Sequence, residues 1–239
     1  MIKSMYTRSL KRNRQNRTNY RKRSALLISR RAFITVRISN QNVLAQVLTA
    51  ELNGDIVVAS AHSRELTSHG WKGSLNSIPT CYLTGLLLGK KSLVAGIKDA
   101  ILYTGKTRFT SRVAACLKGI LDSGVDIPVS QEVLPSESRI KGEHISKYGQ
   151  SMKEDKEKYD SRFSLVLKRG LQPEDYPSHF EELKGRISAM SHHPDNESQE
   201  MSLTRKDGEK RSSRRTTSNA STTNENKTKG LDVTGRGTK

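Results

Sequence analysis

Large apolar side chains are scarce in this sequence. Aromatic residues make up 5% of the 239, with a single tryptophan, Trp71. Hydrophobic residues reach 33%, below the roughly 45–50% usual for a globular domain. Part of the chain therefore packs a core and part does not. No apolar run approaches the roughly 18 residues needed to span a bilayer; blocks such as Leu86-Leu87-Leu88 are far shorter. The basic N-terminus is not followed by the apolar stretch of a signal peptide, so a cytoplasmic protein with no membrane partner is expected. Only two cysteines occur, Cys81 and Cys116. Both sit in apolar, helix-like stretches. This argues for buried free thiols and against a disulfide framework or a zinc ribbon.

Acid is the other shortage. Residues 1–50 hold no Asp or Glu, and Glu51 is the first acid. The same stretch holds twelve basic residues, nine of them Arg, and so carries two thirds of the formal net charge of +18. An acid-free basic segment repels itself and gains order by neutralising phosphates. Guanidinium groups fork onto phosphate oxygens or stack on bases in ways that Lys cannot. Tyr20, set in Thr18-Asn19-Tyr20-Arg21-Lys22-Arg23, could stack on an exposed base. The partner expected from this pattern is RNA.

Four segments follow from periodicity and composition. Residues 1–31 read as an extended basic RNA-binding arm. Residues 32–149 read as an α/β domain of order β-β-β-α-β-α with a mixed sheet. Ile34, Val36 and Ile38 alternate with Thr35 and Arg37, and Val43, Ala45 and Val47 repeat the spacing around Leu44 and Gln46, a strand period. Asn53-Gly54 marks a hairpin, and Ile56-Val57-Val58-Ala59 is the third strand. A short helix and a loop fill 62–76. A long helix should start near Asn76 or Ser77, with Pro79 in its first turn, and run to about Ile97. Gly85 and Gly89 on one side of it should allow close packing on the sheet. Ala100 to Tyr103 form a short strand, and Ser111 caps a helix ended by Gly124. One helix is expected over 136–148. Residues 150–190 carry eight bases and eight acids and read as an appended helical layer: one helix over 153–169 and another started by Pro177. Residues 191–239, almost free of apolar side chains, read as a disordered polar tail.

Motifs for chemistry are weak. Gly85-Leu86-Leu87-Leu88-Gly89-Lys90-Lys91-Ser92 fails as a phosphate loop, because three residues separate the glycines and Lys91 stands where a Ser or Thr would hold magnesium. His62, His69, His144, His179, His192 and His193 lack metal-ligand spacing, so no metal, cofactor or small-molecule substrate is expected. Ser63 beside His62 has no glycine elbow around it. A nuclease acting on RNA is the alternative function. It would need converging carboxylates, and the strands offer Asp55 and Asp99 only at their ends, beside Thr35, Arg37 and Gln46. A sheet lined with Arg and amides suits RNA contact instead, and we expect a protein that is not an enzyme.

Several segments together resemble a known family. They are Thr18 to Arg23, Arg37-Ile38-Ser39-Asn40, Ala59 to Leu66, Gly70-Trp71-Lys72-Gly73 and Asn76. Tyr82 to Leu87, Asp126-Ile127-Pro128, Leu134-Pro135 and Arg139 to Ile145 continue the pattern. It is similar to the large-subunit ribosomal protein that binds 5S rRNA, called L-eighteen in bacteria and archaea and L-five in eukaryotes. Phe163-Ser164, Arg169-Gly170-Leu171 and Pro173-Glu174-Asp175 look archaeal rather than bacterial. The tail after Ser191 departs from the family pattern. The resemblance implies a structural protein of the large subunit that attaches 5S rRNA to large-subunit rRNA in the central protuberance, among neighbouring ribosomal proteins. It also implies RNA contacts at Arg12, Arg14, Arg17, Tyr20, Arg21, Lys22, Arg23, Arg37, Ser39, Asn40, His62, Arg64, Trp71 and Lys72. Charge alone adds Lys90, Lys91, Arg108 and Arg112.

Overall fold

The expected strands form, and their register decides which side chains face inward. A computed structural model describes residues 8–105 and 107–189; the tail expected over 191–239 lies outside them. Helix α1 (Lys11–Arg14) and helix α2 (Tyr20–Ile28) precede strand β1 (Ala32–Ile38), β2 (Val43–Glu51) and β3 (Gly54–His62). Helix α3 (Glu65–Ser68), α4 (Ile78–Val94), strand β4 (Ala100–Leu102) and α5 (Ser111–Asp122) follow. The sheet order is β3-β2-β1-β4. The first three strands are antiparallel neighbours, and β4 runs parallel to β1. Ile34, Val47 and Ala59 form one inward row, and Val36, Ala45 and Ala61 the next. Val47 opposes Ala59 while Leu48 opposes Val57, so Val58 is an extra, bulged residue that twists the edge strand.

The N-terminal arm is not extended throughout. Asn19 has an extended backbone, and its side chain accepts the Lys22 N–H, capping α2. Ala25, Leu26 and Leu27 then propagate the helix through good intrinsic propensity. Alternation was absent here, and charge alone did not reveal the cap.

The inner sheet face packs against α4 and α5. Gly85 and Gly89 do allow a close approach, but to a helix and not to the sheet. A Cβ on Gly85 would lie 2.0 Å from the Cys116 carbonyl oxygen of α5, and one on Gly89 would meet Ser123 Oγ at 1.8 Å. Gly119 answers from α5, lying against the Tyr82 carbonyl. Three glycines thus bring two helix backbones together. Helix α4 stops at Val94, short of Ile97. Gly96 adopts a positive φ, and the Ile97 N–H turns back to the Ser92 carbonyl.

The single helix expected over 136–148 is two, α6 (Glu137–Lys141) and α7 (Glu143–Ser151). Gly142 breaks it at φ +86°, and a Cβ there would stand 2.9 Å from the Tyr176 ring. Helix α8 (Lys156–Lys168) and α9 (Tyr176–Ala189) complete the described chain. Phe180, Leu183 and Ile187 of α9 are buried in the same apolar cluster as the sheet residues and α4. Each such side chain stabilises the fold by roughly 1.5–3 kcal/mol. The last helix therefore shares the central core.

Candidate nucleic-acid interface

The sheet face turned away from α4 and α5 carries the polar half of the alternation. Across it run the rows Arg37–Leu44–His62 and Thr35–Gln46–Ser60, then Phe33–Leu48–Val57. The last row is covered in part from above. Phe33 is 2% exposed, its ring edge-on to Tyr103 and 5.8 Å from the Arg23 guanidinium. Arg23 also grips Asp55 of β3 through both terminal nitrogens. Nearby, Arg31 pairs with Asp99 at 3.2 Å. Two arginines of the basic arm thus neutralise the two carboxylates that a nuclease reading would have used. Asp55 and its hydrogen bond raise the Arg23 pKa further, against the opposing effect of partial burial.

Arg23 docks α2 on the sheet, and its neighbours face water. Arg17, Arg21 and Lys22 are exposed. Arg12 donates to Thr18 Oγ1 at 3.0 Å, across the bend between α1 and α2, and Arg14 donates back to the Ser9 carbonyl at 3.1 Å, ahead of α1. Tyr20, half-buried, is the first residue of α2.

A second group forms at the opposite end of the face. Ser39 Oγ donates to the Asn42 carbonyl and accepts the Asn42 N–H, both at 2.9 Å, closing the β1–β2 turn. Asn76 donates its amide to the Asn40 carbonyl at 2.9 Å, and Arg112 donates to Asn76 Oδ1 at 2.7 Å. Asn40, Asn76 and Arg112 thereby join a strand turn, the loop before α4 and the start of α5. His62 Nδ1 accepts the Arg64 N–H at 3.0 Å, so its neutral form presents Nε2–H outward. Glu65 accepts the His62 N–H at 3.0 Å and pairs with Lys91 at 2.9 Å. Arg37, Arg64, Lys72 and Arg108 are exposed.

Two candidates differ from expectation. Trp71 is 1% exposed. Its ring lies between His179 and Tyr176, so it packs in the core and offers no face to a base. Lys90 donates to the Ile187 carbonyl at 2.6 Å and to the Ser188 carbonyl, tying α4 to the end of α9. Sequence reasoning gave Asn76, Arg169, Tyr176 and His179 no role at the site. No spacing signal could have revealed the last three, because their loop partners lie 96 to 107 positions away.

Comparison with known proteins bears on the same region. Residues 4–110 match the family model described as ribosomal large subunit proteins 60S L5 and 50S L18. Over that span the chain is similar to this family. The match takes in the basic arm, all four strands and α4. The match supports a large-subunit ribosomal protein, an RNA-binding component of the translation machinery.

Proposed function

We propose that this ribosomal protein binds 5S rRNA and fastens it to large-subunit rRNA in the central protuberance of cytoplasmic ribosomes, with other large-subunit proteins as neighbours. Residues 1–31 serve as the RNA-binding arm, 32–149 as the 5S-rRNA-binding body and 150–190 as its helical support. The observation that carries the reading is a division of labour among the cations. Arg23 and Arg31 are spent on Asp55 and Asp99, whereas Arg17, Arg21 and Lys22 on α1–α2 and Arg37, Arg64 and Lys72 on the body are exposed. The arm is thus fixed to the sheet with Arg17, Arg21 and Lys22 facing outward. Such an array suits the closely packed phosphates of a folded RNA, which is read mainly by shape and backbone.

The test is direct binding. The full chain should retard labelled 5S rRNA at concentrations where an unrelated structured RNA of equal length stays free. Equal retention of both RNAs would refute the reading.

A further inference from the structure

The segment from His69 to Ser77 carries Lys72 and Asn76, yet it contains no helix or strand of its own. It is held from the far end of the chain. Arg169, just after α8, donates from Nη1 to the Gly73 carbonyl at 2.6 Å. Tyr176 Oη, at the start of α9, accepts the Ser74 N–H at 3.1 Å and lies 3.0 Å from Ser77 Oγ. His179, one turn along, stacks on Trp71 with centroids 5.1 Å apart and planes 12° from parallel. Its Nε2 accepts the Lys72 N–H at 3.2 Å. Tyr176 meets the same indole edge-on at 5.4 Å. There is no spare room, because a Cβ on Gly73 would lie 2.5 Å from Tyr176 Oη and 2.6 Å from Trp71 Cζ2. On its other side the segment ends in the Asn40–Asn76–Arg112 chain.

We propose that Arg169, Tyr176 and His179 are positioning residues for RNA binding, which hold the 69–77 loop in the shape that keeps Lys72 outward and Asn76 bonded to Asn40 and Arg112. The proposal rests on the functional reading above and adds to it a role for the C-terminal helices, which hold this loop. A loop ordered before binding does not lose that conformational entropy when RNA arrives, so affinity rises without any new contact.

The His179 joint carries its own signature. Nε2 can accept the Lys72 N–H only when it is unprotonated. Burial lowers the His179 pKa from 6.5; Glu182 opposes this, and Lys72 and Arg186 reinforce it. The unfolded chain therefore takes up the proton first. The stabilisation is complete above pH 6.5 and is lost as pH falls through the lower folded-state value.

Trp71 is the only tryptophan, so its fluorescence in the full chain reports this joint alone. Acid titration should change the emission with a midpoint below 6.5, and 5S rRNA affinity should fall over the same interval. His179→Ala should abolish the emission transition and weaken binding about tenfold, equivalent to about 1.4 kcal/mol. His179→Gln, whose amide oxygen can still accept the Lys72 N–H, should recover part of the affinity but not the titration. Gly73→Ala should weaken binding without removing any charge. Should His179→Ala unfold the chain, His179→Gln and the wild-type titration still decide the matter. The proposal is overturned if Trp71 emission shifts in the variants while 5S rRNA binding equals wild type, or if emission is unmoved by pH and by His179→Ala alike. Failure of the wild type to prefer 5S rRNA would instead remove the functional reading on which it stands.

Discussion

Replacing Arg17, Arg21 and Lys22 together by Gln isolates the electrostatic grip of the arm from its structural role. All three side chains are exposed and make no hydrogen bond or ion pair among the described residues. Arg23, which docks α2 through Asp55 and Phe33, is left in place. Each neutralised phosphate contributes about 0.7–0.9 to the slope of log affinity against log salt. Losing three should make that slope shallower by about 2–3. Between roughly 50 and 200 mM salt, wild-type affinity should then fall roughly 20–40-fold further than that of the triple variant. Filter binding of 5S rRNA at several KCl concentrations measures both slopes. Thermal melting should agree to within about 0.5 kcal/mol, as expected for surface changes away from packed features. Parallel salt dependences with unchanged melting would mean that these cations do not meet phosphate, and the argument from the acid-free arm would fail.

Three further outcomes follow from the packing. Gly85→Ala drives a methyl into the Cys116 carbonyl and should destabilise the chain by about 3 kcal/mol in urea unfolding, whereas Gly185→Ala in α9 meets nothing within 4 Å and should stabilise it by about 0.5–1 kcal/mol. Equal and small effects would show that the α4–α5 contact yields easily. Burial pushes the Cys81 thiol up to about 12 and Cys116 well above its ordinary value; native protein at neutral pH should resist a disulfide reagent that labels both thiols at once in denaturant. Arg23→Gln breaks a pair that is a quarter exposed on each side, so melting should report a loss of roughly 0.2–1 kcal/mol, and a salt-slope change matching the arm triple would contradict its docking role.

Local pattern made much of the site legible. The alternation of Ile34, Val36 and Ile38, and of Val43, Ala45 and Val47, specified two strands and their inward faces, because a period of two places every second side chain on one side. The same alternation put Arg37 and Gln46 on the outer face. The Glu51–Gly54 hairpin, the start of α4 around Pro79 and the stop at Gly124 were likewise readable. Each of these signals acts within a few residues, where sterics and caps operate. The arm helices were missed because one Asn19 side chain, rather than an apolar period, begins α2.

The sequence by itself determined the charge imbalance, the mixed α/β order and the segments that resemble a ribosomal family. Those properties live in composition and short-range spacing. Only the tertiary structure decided that Arg23 docks while Arg21 and Lys22 face solvent. It also showed that Trp71 packs between His179 and Tyr176 instead of facing RNA, and that the close glycines serve a helix pair rather than the sheet. The reason is common to all three. An arginine, an indole or a glycine has the same local propensity whether its partner is water or a side chain a hundred positions away, and only folding supplies the partner.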